Sequence, residues 1–274
     1  MADLITCADA AKYLDVDIAD TAIKAKIDAL ISQASATVER YCSRTFALTE
    51  YKAWVDGQGG SALALPQYPI TRLYQVSCGT QDFVRLSYTG SAPEAFASCD
   101  GATLTLADSS TADITLASYA TGTLLKAQIE TNTGWGCDIF SGMDSFDSTK
   151  IRPFSEYCKG SGNEIDIVIP DESQSAVISN TDGWLIEGSF PSGTRNVFVW
   201  YKAGYSATPA GLKAIVTSMV ADAYRASERD TSLKSEKLGD YSYTAGSAAD
   251  GVDMQNIIKN YEYGLSMYRR MEFA

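Results

Sequence analysis

The chain has 274 residues, 45% hydrophobic and 20% charged, with 34 acidic against 22 basic side chains and a formal net charge of −12. It contains no histidine, which excludes Ser-His-Asp and Cys-His nucleophile systems, His-ligated zinc, proximal-histidine haem and the HExxH metalloprotease signature. A chain of this size buries roughly 70–75% of its unfolded surface without disulfides or metal, and its acidity makes a poor grip for phosphate backbones, whose affinity comes from Lys and Arg releasing counterions.

Thr6-Cys7-Ala8-Asp9 is a Thr-x-x-acid capping pattern that predicts a short helix through Leu14. Asp15, Asp17 and Asp20 follow in a turn, where capping and solvation account for them better than a metal site, since no EF-hand spacing is present. Ile23, Ile27, Ile31, Ala34, Val38 and Tyr41 then define one face of a helix of about five turns.

From Phe46 to Arg195 the signals change to short alternating runs broken by Gly, Ser, Asn and Asp. Thr103–Leu106, Asp113–Leu116, Ile165–Pro170 and Trp184–Glu187 predict strands of an antiparallel barrel or sandwich. Asp56-Gly57-Gln58-Gly59-Gly60 reads as a hairpin turn, because it lacks the lysine and following helix of a phosphate cradle. Residues 131–150 carry no periodicity and predict an exposed loop. This middle block holds 18 acids and 8 bases, so it carries ten of the twelve excess negative charges.

Asn196–Tyr201 predicts a strand ending near Gly204. Thr208-Pro209 supplies an N-cap and first-turn proline for a helix with Leu212, Ile215, Val216, Met219, Val220 and Ala223 on one face. A polar, aperiodic segment runs from Ser235 to Asp250. A closing helix follows, with Met254, Ile257, Ile258, Tyr261, Leu265 and Tyr268 on one face.

The six cysteines, at positions 7, 42, 78, 99, 137 and 158, form no C-x-x-C pair and read as buried free thiols of a protein made in a reducing cytoplasm. The first residues carry neither a basic region nor an apolar run, and no signal peptide is expected; no stretch approaches the length of a membrane span. No P-loop, G-x-S-x-G or dinucleotide fingerprint occurs. Glu164, Asp166, Asp171 and Glu172 offer carboxylates that a glycoside hydrolase could use, at a density that chance alone supplies. No catalytic residue, cofactor or metal is expected. The sixteen tyrosines are more informative. Tyr241 and Tyr243 lie in a polar segment that cannot build its own core, which points to a partner's surface.

Several segments resemble the head–tail connector, or adaptor, proteins of tailed bacteriophages. They are the N-terminal helices Asp9–Phe46 with Ala34–Tyr41, the proline motif Leu65-Pro66-Gln67-Tyr68-Pro69-Ile70, and Tyr201-Lys202-Ala203-Gly204-Tyr205 with Pro209 opening a helix. Ala223–Arg229 and Ser235–Tyr243 continue the likeness, which covers residues 5–75 and 196–245. The chain is expected to be α+β: the resemblance implies a helical connector core with short strands at residues 1–75 and 196–245. Residues 76–195, outside the likeness, read as an inserted antiparallel β domain whose excess negative charge places it on the outer rim, and residues 246–274 as a C-terminal helical extension.

It further implies a virion protein that is not an enzyme. Copies would form a dodecameric ring beneath the portal protein, extending a channel that passes double-stranded DNA without gripping it and carrying the tail or a stopper protein. The β insertion would meet the major capsid protein. Contacts with the portal or a neighbouring subunit are expected at Glu236, Leu238, Gly239, Asp240, Tyr241 and Tyr243, on the face Tyr261, Leu265 and Tyr268, and at Arg269 and Arg270, which could also cap the last helix. A tail-tube or tail-terminator ring protein is the nearest alternative, and a carbohydrate-active enzyme a more distant one.

Overall fold

A computed structural model describes residues 3–179, 185–228, 235–238, 241–244 and 254–269. The helices in chain order are α1 (Cys7–Leu14), α2 (Thr21–Cys42), α3 (Gly122–Ile129), α4 (Ala210–Ser227), α5 (Met254–Ile258) and α6 (Glu262–Ser266). The strands of the first half are β1 (Thr49–Gly57), β2 (Ala62–Ala64), β3 (Ile70–Ser77), β4 (Thr80–Tyr88), β5 (Phe96–Cys99), β6 (Thr103–Ala107) and β7 (Thr111–Thr115). Those of the second half are β8 (Trp135–Ile139), β9 (Phe154–Tyr157), β10 (Ile165–Pro170), β11 (Val177–Ile178), β12 (Leu185–Glu187), β13 (Gly193–Ala203), β14 (Ser235–Leu238) and β15 (Tyr241–Thr244). The chain divides into two units, one of residues 1–48 with 204–274 and one of residues 49–203.

The first unit is helical. Asp9 completes the capping box of α1: its amide donates to the Thr6 hydroxyl, and its carboxylate accepts from the Thr6 amide. Asp20 caps α2 by accepting from the amides of Ala22 and Ile23, and Asp17 accepts from Ala19, so these aspartates do the local work their sequence positions suggest. Ile27, Ile31, Ala34, Val38 and Cys42 of α2 share one buried core with Leu212, Val216, Met219, Val220 and Ala223 of α4. Met254, Ile258 and Leu265 close it. The closing segment is not one continuous helix: a 3-10 turn at Lys259–Tyr261 separates α5 from α6. Pro209 occupies the N-cap position of α4, one residue later than Thr208, and no side-chain hydrogen bond caps the helix there.

The β unit is built from open antiparallel sheets, and no barrel closes among the described residues. Strand β13 lies between β1 and β3, while β12 lies between β11 and β2. These strands enclose a core of Leu63, Leu65, Ile70, Val76, Ile186, Phe190, Val197, Val199 and Tyr201. A second, larger core belongs to the sheets β10-β4-β8 and β7-β6-β5-β9 with α3, and includes Phe83, Leu86, Leu104, Leu125, Trp135 and Ile167. Alternation explains most of the placement: the buried residues are Leu104 and Leu106 along β6, and Ile165, Ile167 and Ile169 along β10, whose last residue, Pro170, is buried as well.

Further sequence expectations are refined or corrected by the strand pairing. The short strands expected within residues 1–75 and 196–245 are β1, β3 and β13, which are ladder partners and fall together in the unit of residues 49–203. The glycine cluster at 57–60 is not a hairpin turn: β1 pairs with β13, whereas β2 pairs with β12. Gly57 is small because a side chain there would fall on the Pro191 carbonyl oxygen, and its amide donates to Asn196. Residues 131–150 contain β8 and a 3-10 turn at Ser148–Lys150. The buried pair Trp135 and Cys137 shows the strand's period of two, but over too few residues to stand out.

All six cysteines are free thiols, and Cys42, Cys99, Cys137 and Cys158 are buried. Desolvation pushes the Cys42 and Cys158 thiols up to about 11 and the Cys137 thiol up to about 12, which leaves them protonated and inert at neutral pH. No helix among the described residues is long and apolar enough to cross a membrane.

Candidate functional site

The expected contact residues fall in the last third of the helical unit. Helix α6 and the turn before it present one inward and one outward side. On the inward side Leu265 is fully buried, and its carbonyl accepts from the Cys42 thiol at 4.0 Å. The Tyr261 hydroxyl donates to Asp222 Oδ2 of α4 at 2.7 Å, and half-burial together with that carboxylate raises its pKa well above the ordinary phenol value. Tyr268 meets Phe46 edge-on at 6.2 Å. The face Tyr261, Leu265 and Tyr268 therefore closes this chain's own core, and Leu265 in particular has no surface left to offer a partner.

The outward side carries Tyr263, 95% exposed, and Met267, 77% exposed. They stand four residues apart on the same helical face. Neither is among the contacts expected from sequence, because the periodicity of the closing segment marks the buried stripe and says nothing of large residues outside it. Arg269 is exposed at the end of this segment, close enough to Cys42 to offset part of the thiol's desolvation.

The segment read as aperiodic forms a two-stranded hairpin. Ser235–Leu238 pairs with Tyr241–Thr244, with Glu236 opposite Tyr243 and Leu238 opposite Tyr241. Gly239, Asp240 and Arg270 lie outside the described residues. A Gly-Asp pair between two short alternating runs is a hairpin signal, and it was the signal available in sequence. Among the described residues β14 and β15 pair only with each other, and a two-stranded hairpin by itself is marginal in water.

Two of the four carboxylates considered for catalysis, Asp166 and Glu164, have structural partners. Asp166 forms a two-pronged ion pair with Arg85, at 2.6 and 2.8 Å, and this partner holds its carboxyl below the usual range. Glu164 accepts from the Gly162 amide at 3.0 Å, and backbone hydrogen bonds lower its pKa as well. Neither is raised toward neutrality as a general acid would be. Among the described residues no three Cys, Asp or Glu side chains gather where they could hold a metal ion.

No family model matches the chain, and no curated protein matches it. Among solved structures it is similar to a chain in the neck of an empty GTA (gene transfer agent) particle computed with C6 symmetry, at 11% identity and a TM-score of 0.35, over 99% of this chain and 92% of that one. A superposition of this depth does not establish a shared fold.

Proposed function

We propose that the chain is a structural, non-enzymatic subunit of the neck of a tailed-phage-like particle, forming a ring beneath the portal that extends the DNA channel and carries the tail or stopper. The observation that carries this reading is the junction Tyr201–Tyr205. There, in the run that carries the connector resemblance, the chain leaves β13 and its backbone meets the segment that follows α2. The Tyr205 amide donates to the Phe46 carbonyl at 2.8 Å, and the Leu48 amide donates to the Tyr205 carbonyl at 3.1 Å. Helix α4 then shares a core with α2, so segments from both sides of the β unit in sequence build one helical unit.

The net charge of −12 supports passage of DNA without retention, since like charge repels phosphate. Subunit or portal contacts are assigned to the hairpin Glu236–Tyr243, to Arg269, and to the outward pair Tyr263 and Met267. Apolar side chains exposed to this degree on one helical face suit an interface better than water. The β unit would face the capsid protein. Electron microscopy and native mass measurement of the purified chain, alone and with portal protein, test the reading. Twelve-fold rings or a portal complex are expected, and the double variant Tyr263→Ser, Met267→Ser should lose them while remaining folded. A chain that stays monomeric with portal, or that turns over a glycan, would sink the proposal.

A further inference from the structure

The β unit contains a cleft of about 590 Å³ between two sheet edges, lined by Arg152, Phe154, Glu156, Asp166, Val168 and Arg195 among others. Strand β9 is the outermost strand of β7-β6-β5-β9, and β10 is the outermost strand of β10-β4-β8. One backbone hydrogen bond, from the Arg152 amide to the Val168 carbonyl at 3.0 Å, joins them at one end. Beyond it the two edges border the cleft as separate sheets. An edge strand presents alternating amides and carbonyls, and an extended peptide is the shape that satisfies them.

Two arginines mark one end of this cleft. The Arg152 guanidinium donates to the Thr194 carbonyl at 3.0 Å and lies 5.9 Å from the centre of the Trp54 ring. That bond brings it beside the residue next to Arg195. Arg195 has φ +48, a left-handed conformation that long side chains rarely adopt, and its amide is pinned by Asp56 Oδ1 at 2.6 Å. Neither guanidinium pairs with a carboxylate among the described residues. Two cations without a carboxylate are out of place in a block of 18 acids and 8 bases. Strained backbone that displays a functional group is a recurrent feature of binding sites.

We propose that this cleft binds an extended acidic peptide segment of a partner protein. The segment's carboxylate would be held between Arg152 and Arg195, and its backbone would lie along the edges of β9 and β10. A forked guanidinium matches a planar carboxylate in two hydrogen bonds. Glu156, at the cleft's lining and without an ion-pair partner among the described residues, disfavours a polyanion such as DNA and favours a segment with a single acidic residue at the arginine end. The inference concerns the β unit alone and stands whether or not the chain forms a ring.

The test is an NMR titration of the full-length chain with the blocked peptide acetyl-Val-Thr-Asp-Val-Thr-amide, with its Asp-to-Asn counterpart, with inorganic phosphate, and with a short DNA duplex. The Asp peptide should shift the Arg152 and Arg195 side-chain signals and the amides of β9. The Asn peptide should bind about tenfold more weakly or worse, as expected for losing a charge-assisted pair. Arg195→Gly removes the guanidinium and suits the left-handed backbone. It should melt no lower than the parent chain yet lose about tenfold or more in affinity for the Asp peptide. Several outcomes would overturn the proposal: no binding, equal binding of the Asp and Asn peptides, or unchanged affinity in Arg195→Gly. Shifts at the arginines produced as readily by phosphate or DNA, with the β9 amides silent, would do so too.

Discussion

At the residue scale, Gly204 shows how one position can hold an architecture together. It has φ +109, and a methyl group there would fall on the Ala47 carbonyl oxygen. Both the backbone conformation and the close approach demand glycine. Gly204→Ala should therefore cost about 2–3 kcal/mol, the range for a residue forced into strained backbone against a fixed neighbour. Gly142→Ala is the control: its φ is +83, but nothing stands within 4 Å of the added methyl, so only about 1 kcal/mol is expected. Chemical denaturation of the two variants measures the difference. The tyrosine-lysine-alanine-glycine-tyrosine run was conspicuous in sequence, but its reason was not. The oxygen that excludes a side chain belongs to a residue more than 150 positions earlier.

At the scale of elements, α1 is tied to α4 through one carboxylate. Asp9 Oδ1 meets the Lys213 ammonium at 2.7 Å, while the same side chain serves the α1 capping box. The lysine first, then the Thr6 hydroxyl and amide, pull the Asp9 carboxyl down to about 2. Because the folded value lies below the ordinary 3.8, the tie contributes its full stability above about pH 4, and that contribution is lost as pH falls through about 2. Thermal melts of the helical unit should fall between pH 4 and pH 2, and Asp9→Asn should flatten that slope while losing about 1 kcal/mol at neutral pH. The cap was visible in sequence as Thr-x-x-Asp. Its second partner was not, since Lys213 lies on a helix reached only after the whole β unit.

The closing segment teaches the same lesson in reverse. Its periodicity correctly located Met254, Ile258 and Leu265 on one face, and the structure places them in the helical core. A periodic stripe marks burial without saying against what. Here the absent partner turned out to be α2 and α4 of the same chain, and the exposed pair Tyr263 and Met267 sat outside the stripe.

On the scale of the whole molecule, the helical unit's core and the two cores of the β unit draw on different parts of the chain. Leu265→Ala empties a fully buried site in the helical unit and should cost about 2–5 kcal/mol there. Hydrogen exchange should accelerate at the amides of α2 and α4 while those of β4, β6 and β10 keep their protection, because local stability follows local contacts. Acceleration spread equally over both units would show that they open as one.

Sequence by itself determined what depends on near neighbours and on composition. The caps of α1 and α2, the apolar faces of α2 and α4, the alternating strands β6 and β10, the thiols without a partner motif, and the exclusion of histidine chemistry all follow from residues within a few turns of each other or from simple counts. Only the tertiary structure decided which strands share a sheet, where the helical unit ends, and which side of α6 faces inward. It also brought Arg152 and Arg195 to one cleft. Those outcomes are contacts between residues tens to hundreds of positions apart, and periodicity carries the phase of an element but not the identity of what it packs against.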